Sequence, residues 1–158
     1  MKKLIVLLLI AGAGTALANT PEDAFNDLLD SAYEHDAQAF LNCLSVESVQ
    51  MVDMLVYMVK LKPGEAVTRI SRELDVEITE GELKEMASID LINMVLSAPG
   101  FQEQLPPRAD ITFTSAETSG DSSFVSFTIV DFPQPLRLLM VKNGENWKLD
   151  QSVLQAEL

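Results

Sequence analysis

Asn143-Gly144 lies between two runs that alternate in the manner of β-strands, and no other local feature constrains the fold as tightly. Asn-Gly is the favoured pair for a two-residue hairpin turn of type I′, and such a turn sets the strand register. With Asn143 and Gly144 at its tip, Lys142 faces Glu145, Met140 faces Trp147 and Leu138 faces Leu149. Side chains alternate along a strand, so the large apolar residues collect on one face. A slip by one residue would turn all four of Leu138, Met140, Trp147 and Leu149 to water.

A second hairpin is expected just before. Ile111 and Phe113 alternate with polar residues, Phe124–Val130 is rich in β-branched and aromatic residues, and Ser119-Gly120-Asp121 between them is a turn signal. Phe132-Pro133-Gln134-Pro135 separates the hairpins. The expected sheet has about four antiparallel strands, with Phe127, Leu138, Met140, Trp147 and Leu149 on its covered face.

Upstream the period is helical. Thr20-Pro21-Glu22-Asp23 is a helix start: a capping hydroxyl, a proline suited to the first turn, and carboxylates at the positive end of the dipole. Phe25, Leu28, Leu29 and Ala32 follow at helical spacing. Asp36 can cap a short helix carrying Ala37, Phe40 and Leu41. A third helix is predicted over Val46–Val59, ending before Pro63-Gly64, and a fourth over Glu65–Leu74. Thr79-x-x-Glu82 is a capping box for a fifth helix that ends before Pro99-Gly100. Helices before strands define an α+β fold with N-terminal helices packed on one face of a C-terminal antiparallel sheet. No linker divides residues 19–158, so a single domain is expected there.

The first eighteen positions have a different logic. Met1-Lys2-Lys3, the aliphatic run Leu4–Ile10 and Ala16-Leu17-Ala18 match the basic, apolar and small-residue regions of a secretory signal peptide. Leu4–Ala18 is shorter than the roughly 20 residues of a spanning helix, so no stable membrane span is expected after cleavage. The expectation is a bacterial protein exported to the periplasm or secreted. In such an oxidising compartment Cys43 is an odd thiol. Its neighbours Phe40, Leu41 and Leu44 suggest a buried, inert one.

The helix beginning near Thr20-Pro21-Glu22, the break at His35-Asp36, the short helix Ala37–Leu41 and the closing Gly144-Glu145-Asn146-Trp147-Lys148-Leu149-Asp150 resemble small exported bacterial domains of the nuclear-transport-factor-2-like superfamily. The resemblance covers the first helices and the final sheet, and leaves Val46–Ser97 as an insertion. It implies a ketosteroid-isomerase-like cone, in which a curved sheet wraps a long helix around a pocket. It also implies homodimers through the open sheet face. That superfamily contains isomerases and dehydratases as well as non-catalytic binders, and fold likeness does not transfer chemistry.

The residues themselves argue against most chemistries. The chain carries 24 acidic and 11 basic side chains, a poor balance for nucleic acid, whose phosphates need Lys and Arg. One His and one Cys cannot supply the usual zinc ligand sets. No nucleophile elbow, phosphate loop or dinucleotide fingerprint occurs, and Gly120-Asp121-Ser122 lacks the other acidic positions of a calcium loop. No cofactor, metal or catalytic residue is therefore assigned. His35 reads as a helix-terminal residue in solvent. The Glu77, Glu80, Glu82, Glu85 stretch reads as a solvated face.

Two features remain as candidates. On a continuous fifth helix, Asp90 lies in one sector with Leu83, Met86, Ala87, Leu91 and Met94. A carboxylate buried there must pair or rise in pKa, so Asp90 reads first as a surface-edge residue or one paired with Arg69 or Arg72, and otherwise as an acid or base in an apolar site. The third helix has two apolar stripes: Val49, Val52, Leu55, Val56 and Val59, and then Met51, Met54 and Met58. It is either buried on both sides or leaves a pocket or patch for a partner. The expected function is a non-catalytic exported domain that binds a small apolar ligand or a protein partner. The alternatives are an assembly protein whose Met-bearing helix or sheet face forms a homo- or hetero-oligomer, and an isomerase or dehydratase working through Asp90 with Tyr57. Cleavage after Ala18 predicts that protein recovered from the exported fraction begins at Asn19 by N-terminal sequencing. Retention of Met1–Ala18 there would overturn the signal-peptide reading.

Overall fold

The computed structural model describes residues 19–151; the expected signal peptide, 1–18, lies outside them. Among the described residues, seven α-helices and a 3₁₀ turn at Arg108–Asp110 precede the sheet: α1 (Pro21–Tyr33), α2 (Ala37–Asn42), α3 (Val46–Leu61), α4 (Pro63–Leu74), α5 (Glu80–Glu85), α6 (Ser88–Ser97) and α7 (Pro99–Gln102). Four antiparallel strands follow in spatial order: β1 (Ile111–Ser119), β2 (Ser122–Ile129), β3 (Leu136–Asn143) and β4 (Asn146–Leu149). The protein is α+β, with an open C-terminal sheet.

The helix starts obey their local chemistry. Thr20 accepts from the Asp23 amide at 3.1 Å, while Asp23 accepts from the Thr20 amide at 2.9 Å, closing a capping box. The Thr20 amide, and then the Thr20 hydroxyl donating at 2.8 Å, hold the Asp23 carboxyl below its ordinary range. Asp36 caps α2 through the Ala39 amide at 2.9 Å. α1 ends in a Schellman turn: the Asp36 amide donates to Ser31 O and the His35 amide to Ala32 O. His35 occupies the left-handed position there, with φ 57°, exposed to solvent.

The second hairpin turns one residue later than the sequence pairing. Asn143 pairs with Asn146, Lys142 with Trp147 and Met140 with Leu149, so Gly144 and Glu145 form the tip. Only Gly144 has positive φ, at 66°, which fits a II′ turn rather than I′. Every partner thereby moves by two residues, and a shift of two preserves the faces. Met140, Trp147 and Leu149 are buried and Leu138 packs beside them, as the alternation predicts. The first hairpin also turns at a positive-φ glycine, Gly120, with Ser119 opposite Ser122.

The core forms where α1 lies on the sheet. Phe25 is 1% exposed and its ring centroid stands 5.1 Å from that of Phe127 and 6.2 Å from that of Phe113. Val125, Met140, Trp147 and Leu149 complete this cluster, joined by Val52 of α3, with Leu91 and Ile92 of α6 packed against it. A bulge between Phe113 and Ser115 shifts the register, with Ile111 and Phe113 turned to the core and Ala116 set opposite Val125 but exposed. Of the helices, α1 makes the main contact with the sheet, and α3–α7 form a second block attached largely through α2 and α3.

The helix that Thr79 begins does not run to Pro99. It stops at Glu85, Met86 is extended with ψ 133°, and α6 restarts at Ser88. Pro63 opens α4 instead of only ending α3, and Pro99 opens α7. Gly100 lets α7 pack on the C-terminus of α4: a Cβ there would stand 3.0 Å from Glu73 O and from the Leu74 carbonyl carbon.

The outer edge of β4 is closed by backbone from the helical half. The Leu149 amide donates to Cys43 O at 2.7 Å, the Ser45 amide donates to Leu149 O at 2.8 Å, and Leu44 bridges Leu149 in parallel. Asn19 continues the closure, accepting from the Trp147 amide at 2.7 Å. Behind this edge lies a knot of buried hydroxyls. Ser45 and Ser48 are 1% and 2% exposed. Ser48 Oγ accepts from the Gln151 amide at 2.8 Å and from Ser45 Oγ at 3.1 Å, and donates to Leu149 O at 3.1 Å. Ser48→Ala strands these partners without water, so it should cost about 1–3 kcal/mol. Urea denaturation checks this; an unchanged midpoint would show that the knot contributes nothing.

Candidate functional site

A groove of about 490 Å³ lies between α3, α4 and α6. Its floor is apolar: Leu55 and Met58 from α3, Ile70 from α4, and Leu91, Met94 and Val95 from α6. Lys62, Glu65, Arg69 and Glu73 form the rim. The rim charges pair with one another, Lys62 to Glu65 at 3.3 Å and Arg69 to Glu73 at 3.0 Å. Arg72 also points to Glu73, at 3.6 Å. Such exposed pairs are weak, so they border the groove without sealing it. The size and the apolar floor suit a small-molecule site.

The groove has a sequence cause. α4 carries Ala66, Val67, Ile70 and Leu74 at helical spacing, a strongly two-sided pattern. Yet none of its residues is fully buried. The apolar side of α4 thus stays partly open, facing an α3 that is apolar nearly all round. Leu55 and Met58 were visible in the stripes of α3, and Leu91 and Met94 in the sector around Asp90. Ile70 was missed, although the spacing within α4 signals it.

The sequence candidates fall apart from one another. Asp90 is exposed and is not on a buried apolar face, because the break at Met86-Ala87 starts a new helix. Its carboxylate accepts from the Ala87 amide at 2.8 Å and serves the first turn of α6; Arg69 and Arg72 are engaged with Glu73 instead. It borders a second hollow of about 410 Å³ with Met86, Met94, Glu77, Glu82 and Glu85. Glu82 is occupied by its own capping box, and hydrogen bonds from Thr79, side chain and then backbone, keep its carboxyl below the ordinary range. Tyr57 is exposed on α3 and lines none of these hollows. The Met51, Met54 and Met58 stripe is not buried: Met51 is half-buried, and Met54 and Met58 are 51% and 48% exposed. Among the described residues no group of His, Cys, Asp and Glu is placed to hold a metal ion.

Cys43 is half-buried, less than the sequence suggested, beside a third hollow of about 360 Å³ that also meets Asp27, Asp30, Glu34 and Lys148. Burial pushes its thiol pKa up and the Asp27 carboxylate adds to this, while Lys148 and the Ser31 hydroxyl pull the other way. Tyr33 is also raised, chiefly by burial, and its hydroxyl donates to Pro106 O. With Arg108 paired to Asp30 at 3.0 Å, this contact straps the segment before β1 onto α1.

No family model, curated protein or solved structure matches the chain.

A raised thiol pKa means less thiolate at a given pH. Alkylation of Cys43 by a neutral maleimide should therefore run slower than that of a free thiol near neutral pH, with a midpoint above the ordinary thiol value. Asp27→Asn should move the midpoint down. A wild-type midpoint at or below the ordinary value would contradict the environment described.

Proposed function

We propose that the protein is an exported, non-catalytic binding domain whose α3–α4–α6 groove takes a small apolar or amphipathic ligand. The groove carries this reading: a hollow of about 490 Å³ with an apolar floor stands open to solvent. Burying that floor under a ligand removes apolar surface from water at roughly 25 cal/mol per Å². Its walls include Met58 and Met94, whose flexible thioethers adapt to ligands of different shape. The groove's charged groups sit on the rim and are spent on each other, which suits holding a ligand better than converting it.

The signal-like residues 1–18 support export. The order α1, α2 and then an antiparallel sheet packed on α1 is compatible with the nuclear-transport-factor-2-like resemblance. In that reading α3–α7 are the insertion, and the groove belongs to it rather than to the cone.

Anilinonaphthalene sulfonate, an amphipathic fluorescent anion, tests the groove. Wild-type protein should bind it saturably with enhanced emission. Ile70→Glu places a carboxylate on the floor and should weaken binding about tenfold or more. Thr68→Glu, on the exposed side of α4, should leave it unchanged. Absence of saturable binding, or equal binding by Ile70→Glu with the far-ultraviolet circular dichroism preserved, would reject the groove as the site.

A further inference from the structure

The outward side of α3 raises a separate question. Val52 and Val56 point into the protein and are buried. On the other side Met54, Tyr57, Met58 and Leu61 recur at i, i+3, i+4 and i+7, which is one continuous ridge on a helix. Met54, Leu55, Tyr57, Met58 and Leu61 are each 45–62% exposed. A solvent-facing helix side ordinarily carries charged residues, and this one carries them only along its margin.

We infer that this ridge pairs with the same ridge of a second copy, the two α3 helices running antiparallel about a twofold axis near Val56-Tyr57. Two observations select a second copy over other occupants. The first is charge. Asp53 and Lys60 lie two helical turns apart on one margin of the ridge. In an antiparallel pair centred between them, Asp53 of each chain stands opposite Lys60 of the other. A twofold contact brings a patch against itself, so such a margin must be complementary to itself. This one is, with two Asp–Lys pairs per dimer. Lys60 makes none of the ion pairs of the described residues. Asp53 accepts a hydrogen bond from Ser88 Oγ and keeps further lone pairs for an ammonium.

The second observation is area. The four ridge side chains Met54, Tyr57, Met58 and Leu61, exposed to this degree, present on the order of 450 Å², within the range of the largest patch of an ordinary monomer. Covered on both copies, they remove roughly 900 Å², the size of a weak, transient interface. The contact is thus sized for a reversible dimer rather than an obligate one. It lies on the helical block, away from the sheet face that the family resemblance would use.

Sedimentation equilibrium of the purified protein across micromolar concentrations tests the pairing. Wild type should show a monomer–dimer equilibrium. Lys60→Glu sets like charges against Asp53 at both ends of the contact and should weaken the dimer about tenfold or more. Adding Asp53→Lys to Lys60→Glu reverses both charges and should restore most of the affinity. Met54→Glu should abolish association, with circular dichroism unchanged because the residue lies on the surface. A strict monomer throughout would overturn the inference. So would a dimer indifferent to Lys60→Glu and Met54→Glu, which would place the contact elsewhere, the open sheet face included. Failure of the double charge reversal to rescue would overturn the antiparallel geometry.

Discussion

The join between β4 and the Cys43–Ser48 segment holds the two halves of the protein together. β4 is a strand of only four residues at the margin of the sheet. Left open, its edge would present unpaired amides and carbonyls to any other chain. Instead its groups are met by Asn19, Cys43 and Ser45. The same few residues end α2 and cap α3, where Ser45 accepts from the Ser48 amide at 3.0 Å. One set of hydrogen bonds therefore closes the sheet, fixes where α3 starts, and sets its direction. Backbone polar groups buried here have no water to fall back on, which is why two serines are retained among apolar neighbours. The position of the groove and of the outer ridge on α3 follows from this anchor.

The interior is uneven. Around Phe25 the packing is dense: Phe25, Val125 and Met140 are at most 1% exposed. In the outer block Leu83 and Leu96 are equally buried, but α4 contributes no fully buried residue at all. Few buried apolar contacts mean low local stability, so α4 and its neighbours should open at lower free energy than the α1–sheet core. That softness is consistent with binding, since a wall that is not locked into the core can shift to accommodate a ligand.

Much of the fold was legible because its signals are local. Thr20, Asp36 and Thr79 cap the helices where their hydroxyl and carboxylate chemistry indicates. The covered face of the second hairpin was readable although its register was not. Asn-Gly admits turns with the glycine at either central position, and alternation is blind to a shift of two. The break at Met86-Ala87 was hidden for a similar reason. Ala87 has no polar side chain to advertise a cap, and the carboxylate that marks the new helix, Asp90, falls within an apolar sector on a continuous wheel. The groove was legible only in part. A helical wheel of α3 shows apolar residues on nearly every side but does not say which of them a neighbour covers. That depends on how α4 packs against α3 and α6, a tertiary matter that no single helix's pattern encodes.

α3 is where these threads meet, and its composition is otherwise hard to account for. A helix that is apolar all round normally lies at the centre of a protein or in a membrane. No described helix is long and apolar enough to cross a membrane, and α3 is not central. Its sides divide among separate demands. Val52 and Val56 serve the interior, with Ser48 at the β4 join, while Leu55 and Met58 form a wall of the groove. Met54, Tyr57 and Leu61 remain, and no intramolecular packing requires them to be apolar. Their exposure costs solubility and gains the isolated chain nothing. Random apolar drift would scatter such residues over the surface. Here they lie in one line, with opposite charges spaced along its margin. The regularity is what separates a contact surface from an accident of composition.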